Sequence, residues 1–505
     1  MKNQKWDEKR INAVLVCLLL TFLVSLPLFT DFLLLGADLP YQLLRIEALK
    51  DGLREAGISL WAKPNWIEPK GFSFAFFYGD TFLYIPALFR LAGLNVQMSY
   101  RIFLVLVNAA TAFGSFAAFR KIFRDDAAGL LGSALYTMSI YRVFLLYAEA
   151  ELGEVLAITF LPFVLAGVCM IFREKDADRR GGEGWLWLSL GLSGVLRSHI
   201  LSFGITVLLV FVLAVVYYEK LNSALVWKQI GLCAAAVLLL NLGYFYGILQ
   251  YIRVGGFVIN PVSGVPIQEK GVQIVQLFMG FYQAGTNREF GTQGVDGAAP
   301  VGLGLVFLAA ALVFGYFMFV YGDEFEKKDR KIGFAALLIG LSACFLGTLC
   351  FPWDSILKWS GFTSSLVSMI QSPWHFLQAG LLAFSALGCL TYRMTKKKYG
   401  DFCGKIYALG LAGSGCFCAS YLIANLLFYY DFVRIETGEE LWVPIAEEGK
   451  EAVLPVLASG LQVNGADAMW YILTAVSVLT LVGCAVYTLK CRRKQKSNAE
   501  TEVKG

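Results

Sequence analysis

The sequence predicts an all-α polytopic membrane protein, and three observations predict it. Of 505 residues, 57% are hydrophobic and only 16% are charged, where a soluble domain carries about 25% charged and about 45–50% apolar residues. The mean hydropathy is +0.61. The apolar residues gather into runs of about 18–24, and at roughly 1.5 Å per helical residue such a run crosses a hydrocarbon core of about 30 Å. This pattern excludes disorder, collagen and a disulfide scaffold, and it does not fit a soluble multidomain enzyme.

Twelve runs read as spans. The first, 11–35, follows Lys2, Lys5, Lys9 and Arg10; it is longer than a signal-peptide core and lacks a small-x-small cleavage site, so it is expected to stay. The others are 96–119, 127–147, 155–172, 185–200, 201–218, 228–251, 300–321, 332–351, 374–391, 405–429 and 469–490. Orientation follows from charge, because Lys and Arg concentrate in short cytoplasmic loops. The segments 1–10, 120–126, 173–184, 219–228, 322–331, 392–405 and 490–505 hold 4, 3, 4, 2, 4, 5 and 6 of them, which is 28 of the 43 in the chain. Both termini are therefore expected in the cytoplasm. The net charge of +5 reflects this loop bias, and nucleic acid is not an expected partner; the lipid bilayer is.

Residues 81–94 are apolar but too short to span, so they are placed as an interfacial or re-entrant helix on the outer side. They close a first outer segment, 36–95; the other long outer segments are 252–299 and 430–468. With no internal repeat or linker, 1–505 is expected to form a single transmembrane domain, with about 12 transmembrane helices. The 11 cysteines lie mostly in apolar runs without a CxxC pair, and the chain has 2 histidines, so neither a disulfide framework nor a metal site is expected.

Chemistry is expected at the outer rim. Asp38 falls at the start of a helix whose first turn accepts Pro40. It is either an N-cap or a carboxylate placed to deprotonate an acceptor hydroxyl. In that helix Leu43, Leu44, Ile46 and Leu49 are expected to face the membrane surface, and Arg45, Glu47, Lys50, Asp51 and Arg54 to face water. Arg45 either holds a phosphate or is simply solvated. Tyr78 and Asp80 form a turn or belong to the site. Glu149, Glu151 and Glu154 position a cation or a sugar, or cap the next helix. Arg197, Ser198 and His199 interrupt two apolar runs, and ionisable groups at membrane depth line a cavity or find a partner. Gln371, Trp374 and His375 open the tenth span, where the histidine is a packing residue or part of the site. No phosphate loop, nucleophile elbow or zinc motif is present.

Together DLPYQLLRIEAL at 38–49, PNWIEPKGFSFAFFYGDTFLYIPALFRLAG at 64–93, LGEVLAITFLPFVLAG at 152–167, RSHILS at 197–202 and QSPWHFL at 371–377 resemble the bacterial membrane family labelled 6-pyruvoyl-tetrahydropterin-synthase-related, which overlaps the YfhO-like proteins. Such proteins resemble the GT-C class of glycosyltransferases. The resemblance implies a GT-C-like fold, a polyprenyl-phosphate sugar as donor and a catalytic acid at Asp38. It implies no pterin chemistry. The chain departs from the family pattern at Gln42, where a histidine is common; near Glu149, where an arginine is common; and at His375, where PWR is usual.

The expected activity is therefore inverting transfer of a lipid-linked sugar to a cell-envelope polymer or lipid on the outer face of a bacterial plasma membrane. Asp38 is the base, and Arg197 with Arg45 or Arg253 neutralises the leaving phosphate. Glu154 and His199 orient sugar or acceptor, and Asp38, Glu154, Arg197 and His199 are expected to share one outward-facing cavity. No cofactor is firmly implied, and a divalent cation is left open. The alternative is a non-catalytic lipid or polysaccharide transporter or an assembly subunit, the former predicting polar residues across the bilayer midplane.

Overall fold

A computed structural model describes residues 2–55, 79–173, 183–254, 257–258, 266–281, 300–368, 370, 372–435, 456–457 and 468–504. Each of the twelve apolar runs is helical over most of its length. Among the described residues six helices are long and apolar enough to cross a membrane, or eight if two bent pairs each count as one span. The bent pairs are Asp126–Thr137 with Ile140–Glu149, at 45°, and Ala224–Leu240 with Leu242–Leu249, at 63°. Three further apolar helices, Arg10–Val24, Gly184–Leu196 and Ile200–Val216, are shorter. The tenth and eleventh runs form the two helices within Leu377–Tyr429, which meet at a kink. Gly400 separates them with φ 89 and ψ 171, a conformation open to glycine, and Thr391 Oγ1 meets Tyr407 Oη at 2.8 Å across the turn. By length and composition the count of twelve spans is thus not reached, although all twelve runs recur as helices.

Where the sequence suggests one domain, the chain groups into two compact units. The first comprises 1–50, 83–159 and 261–453; the second comprises 51–82, 160–260 and 454–505. Each is described by itself.

In the first unit the local sequence sets the helix ends. Asn95 caps Val96–Phe123 by accepting from Met98 N at 2.7 Å. Asp125 caps Asp126–Thr137 by accepting from Ala127 N and Ala128 N at 2.8 and 3.0 Å. Between them Arg124 takes a left-handed conformation that closes the first helix. Three loops expected on one side of the membrane meet here: Lys396 bonds Asp125 at 3.2 Å and Lys398 bonds Glu324 at 2.7 Å. At the opposite ends of these helices, strand Leu33–Leu34 pairs antiparallel with Phe432–Val433, and Asp31 bonds Arg434 at 2.9 Å. Those two segments, 36–95 and 430–468 with their flanks, are the ones expected outside. The short helix Tyr84–Leu91 exposes Ile85, Leu88 and Leu91 and buries Pro86 and Ala87, the pattern of an interfacial helix.

In the second unit Gly184–Leu196 packs on Ala224–Leu240, and Ala468–Lys504 packs on Leu242–Val254. Trp185 and Tyr487 meet with ring centroids 5.5 Å apart. Phe172 stacks on Tyr217 at 5.0 Å.

Candidate functional site

The helix Leu39–Glu55 begins directly after Asp38, whose carbonyl accepts from Gln42 N at 3.1 Å. Asp38 therefore stands at the N-cap position. One expectation for this helix fails. Arg45 and Glu47, expected to face water, are 2% and 1% exposed. Each burial is compensated locally: Arg45 donates to Gln42 Oε1 at 2.9 Å and lies 5.6 Å from the Tyr41 ring centroid, while Glu47 is paired with Lys50 at 2.6 Å and with Arg90. The departure at Gln42 thus supplies the acceptor that holds Arg45.

Asp38 is brought to the three glutamates by backbone pairing. Ala37 N donates to Ala148 O at 3.1 Å and Asp38 N to Glu149 O at 2.8 Å. This close approach needs Gly36, where a Cβ would lie 2.7 Å from Ala150 Cβ and 3.0 Å from Tyr147 O. The glutamates sit on an irregular stretch. A π-helical turn, Phe144–Glu149, ends at Ala150 with φ 56; Glu151 follows, and Leu152–Ile171 opens with Glu154 in its first turn. A π-turn followed by a left-handed residue other than glycine is a strained arrangement of the sort found at functional sites.

Glu154 is fully buried and both of its oxygens are bonded. Tyr141 Oη donates to Oε1 at 2.6 Å, and His375 Nδ1 lies 2.5 Å from Oε2. Glu151 Oε2 lies 3.7 Å from the same nitrogen. Glu151 occupies the break between two helices, and burial pushes its carboxyl well above the usual carboxylate range; His375 opposes this, and Glu154, Asp38 and Glu149 add to it. The site is a buried acid cluster built around one imidazole.

His375 is carried by a 3-10 turn, Pro373–Phe376, at the head of helix Leu377–Tyr429. Gln378 Nε2 holds its carbonyl at 2.8 Å. Trp374, half-buried, meets Phe144 edge-on at 6.3 Å. Tyr141 is set by a break of its own. Ser139 caps the turn Ile140–Val143, and Arg142, which is fully buried, bonds Asn108 Oδ1 at 2.6 Å, Thr111 Oγ1 at 3.2 Å and the freed Thr137 carbonyl at 3.4 Å.

Glu151, Glu154 and His375 each offer one ligand atom within 4.8 Å of the others, a grouping that no local spacing reveals. The contact between His375 and Glu154 at 2.5 Å is nevertheless a hydrogen bond. Two ligands of one tetrahedral ion, each at about 2.0–2.2 Å, stand roughly 3.3 Å apart.

The remaining candidates lie in the second unit. Arg197 ends helix Gly184–Leu196, and all three guanidinium nitrogens are engaged: Nε to Asn241 Oδ1 at 2.9 Å, Nη2 to Leu240 O at 2.9 Å and Nη1 to Thr81 Oγ1 at 3.3 Å. His199 precedes Ile200–Val216 and shares a bond of 2.9 Å with Ser202 Oγ. Asp80 is buried; Arg253 is exposed in the last turn of Leu242–Val254. Tyr78 and Gln371 lie outside the described residues. Sequence reasoning missed Tyr141 and Arg142; an arginine inside the apolar run 127–147 was a signal available for the latter.

Fold and site together define a helical, polytopic membrane protein with a carboxylate–histidine centre. No family model matches the chain. A curated relative, an uncharacterized protein of Lactococcus lactis subsp. cremoris (strain MG1363), is 21% identical over 200 residues, which is 39% of this chain and 32% of that protein. Solved structures similar to it include the mycobacterial arabinofuranosyltransferase AftD, with 16% identity, 88% of this chain and 30% of that chain covered, and a TM-score of 0.48. The oligosaccharyltransferase AglB of Archaeoglobus fulgidus, in complex with a dolichol-phosphate, is 12% identical over 84% of this chain and 56% of that chain, with a TM-score of 0.40. ArnT of Cupriavidus metallidurans, bound to undecaprenyl phosphate, is 14% identical over 83% of this chain and 77% of that chain, with a TM-score of 0.35. The chain thus spans about a third of the curated relative and of AftD. At these scores nothing about the site follows from the likeness.

Proposed function

We propose that the chain is a membrane glycosyltransferase of the GT-C kind, resembling the YfhO-like family, which moves a sugar from a polyprenyl-phosphate donor to a cell-envelope acceptor on the outer face of a bacterial plasma membrane. The observation that carries this reading is the backbone pairing of Asp38 with Glu149, which sets an N-cap carboxylate beside the buried centre of Glu151, Glu154 and His375. A carboxylate at that position can accept the proton of an acceptor hydroxyl as its oxygen attacks the anomeric carbon. The bond from that carbon to the phosphate oxygen breaks with inversion, the electron pair leaves with the polyprenyl phosphate, and the proton ends on Asp38. Arg45, on the same helix as Asp38, is the cation of this unit best suited to the leaving phosphate.

The test is lipid extraction after expression of the full chain with a radiolabelled polyprenyl-phosphate sugar. Transfer of label to a larger lipid or polymer by the native chain and not by Asp38→Asn supports the reading; equal transfer by both removes Asp38 as the base. One observation favours a second reading, a transporter or assembly subunit without catalysis. Arg197, expected to meet the phosphate, is wholly engaged in bonds to its own unit.

A further inference from the structure

At the end of the first unit expected outside, two arginines meet Phe32. Arg101 Nη2 donates to its carbonyl at 2.9 Å, and the Arg434 guanidinium lies 6.0 Å from its ring centroid and 5.3 Å from that of Phe432. We propose that Arg101 and Arg434 form a binding site for the phosphate of an anionic phospholipid, apart from the acid centre and independent of the glycosyl-transfer reading.

Arg101 lacks the partners its burial calls for. It is 8% exposed and stands about 9 Å along helix Val96–Phe123 from the Asn95 cap. The bond to Phe32 is the one hydrogen bond it makes among the described residues, and its Nε is enclosed without an acceptor. Gln97, one turn earlier, is satisfied at both ends: Nε2 donates to Asp31 O at 2.8 Å and Oε1 accepts from Ile435 N at 2.9 Å. The Asp31 carboxylate is bonded to Arg434 at 2.9 Å. Two guanidiniums thus share one carboxylate, and a charge set this deep beside a bilayer is unfavourable without a counter-charge. One phosphodiester balances it, and its oxygens suit the planar donors of arginine. The bilayer is the source at hand, because the segments that carry Asp31 and Arg434 also carry rings more than half exposed. Phe22 and Phe29, 5.6 Å apart, precede the one; Phe428, Tyr429 and Phe432 precede the other. Such rings suit the apolar edge of a membrane interface. A lipid held here would tie Val96–Phe123 to the pairing of Leu33–Leu34 with Phe432–Val433.

The test uses the full chain in detergent with added lipid. In native mass spectrometry it is expected to bind dioleoyl-phosphatidylglycerol about tenfold or more tightly than dioleoyl-phosphatidylcholine, which carries no net charge. Phosphatidylglycerol should also raise the unfolding midpoint where phosphatidylcholine does not. Arg101→Gln and Arg434→Gln are each expected to weaken phosphatidylglycerol binding about tenfold, the worth of one charge-assisted bond, and to leave phosphatidylcholine binding unchanged. Arg434 is more than half exposed, so its variant serves if Arg101→Gln does not fold. Lys398→Gln, at the opposite end of the unit, should keep the preference. A role confined to holding the fold would lower the midpoint equally in both lipids and leave the affinity ratio alone. That result overturns the proposal, as does a native chain that does not discriminate between the lipids, or a Lys398→Gln variant that loses the preference as fully. Equal protection by inorganic phosphate would make the corner a free-anion site, and tighter binding of a polyprenyl phosphate would make it part of the donor's path; either removes the phospholipid.

Discussion

Arg142 in the first unit and Arg197 in the second solve the same problem with the same parts. Each stands where a helix is interrupted, and each bonds an asparagine side chain, a backbone carbonyl freed by the interruption and a threonine hydroxyl: Asn108, Thr137 and Thr111 in one case, Asn241, Leu240 and Thr81 in the other. Among the described residues no carboxylate forms an ion pair with either. In a bilayer a broken helix leaves carbonyls that water cannot reach, and a guanidinium with five donors covers several at once. The difference lies in the neighbours. Arg142 is followed within one turn by the π-turn that delivers Glu149 to Asp38, and preceded by Tyr141. Arg197 is followed by His199, which bonds the next turn of its own helix. At these two positions a buried arginine marks a helix break, and only the acids beside Arg142 mark a site.

The largest expected effect separates the acid centre from both arginines. Asp38→Asn should slow transfer about 10²–10⁴-fold while leaving thermal unfolding nearly unchanged, because Asn caps a helix about as well as Asp. Asp38→Ala should add a loss of about 1 kcal/mol in stability. Full activity in a well-folded Asp38→Asn variant would reduce Asp38 to a cap and remove the main chemical asymmetry between the units.

Next come the arginines themselves. Lysine keeps the charge but loses the planar fork, so Arg142→Lys and Arg197→Lys should each leave buried acceptors unmatched, at about 1–3 kcal/mol for each group lost. Both are expected to lower the unfolding midpoint in lipid. Arg142→Lys should also lower transfer, since it loosens the turn that holds Tyr141. If Arg197→Lys instead raises KM for the donor and leaves the midpoint alone, Arg197 is a phosphate ligand and the comparison breaks.

A smaller effect should depend on pH. Burial raises the Glu151 carboxyl above its ordinary value of 4.5, so between that value and the raised one the folded state holds a proton that the unfolded state has released. Stability contributed by the protonated form is then lost as pH rises through the folded value. Glu151→Gln, which stays neutral, should flatten that part of the stability profile and gain on the native chain as pH rises. A variant that instead loses ground on the native chain as pH rises would show that the carboxylate form is the one the site needs.

How far the sequence reveals these regions follows from what each residue does alone. Asp38 and His375 were legible because each stands at the edge of an apolar run, where a polar side chain is conspicuous. Arg197 was legible for the same reason, and its role was misjudged because sequence shows that a charge is buried but not which carbonyl it meets. Tyr141 was invisible: it lies 13 residues from Glu154 and 233 from Trp374, and neither separation is a helical period. The helices themselves were legible from hydropathy, whereas the breaks at Met138 and Asn241 and the turn at Gly400 depend on side-chain bonds and one backbone angle.

The smallest perturbation tests the orientation of the first unit. Lys398 and Glu324 meet at 2.7 Å with Glu324 half exposed, so losing this pair should cost no more than about 1 kcal/mol, and single cysteines nearby should leave the fold intact. That makes them clean reporters of sidedness. The loops 120–126, 322–331 and 392–405 are tied together at one end of the first unit, and Asp31 with Arg434 is tied at the other. Lys and Arg dominate the former, so the expectation from charge is that it faces the cytoplasm. In intact cells a membrane-impermeant thiol reagent should then leave Lys328→Cys unlabelled and modify Asp431→Cys, in a background where the exposed Cys350 and Cys403 are replaced by serine. Labelling of Lys328→Cys from outside would invert the protein, put Asp38 and His375 at the cytoplasmic face, and call for an acceptor on that side of the membrane.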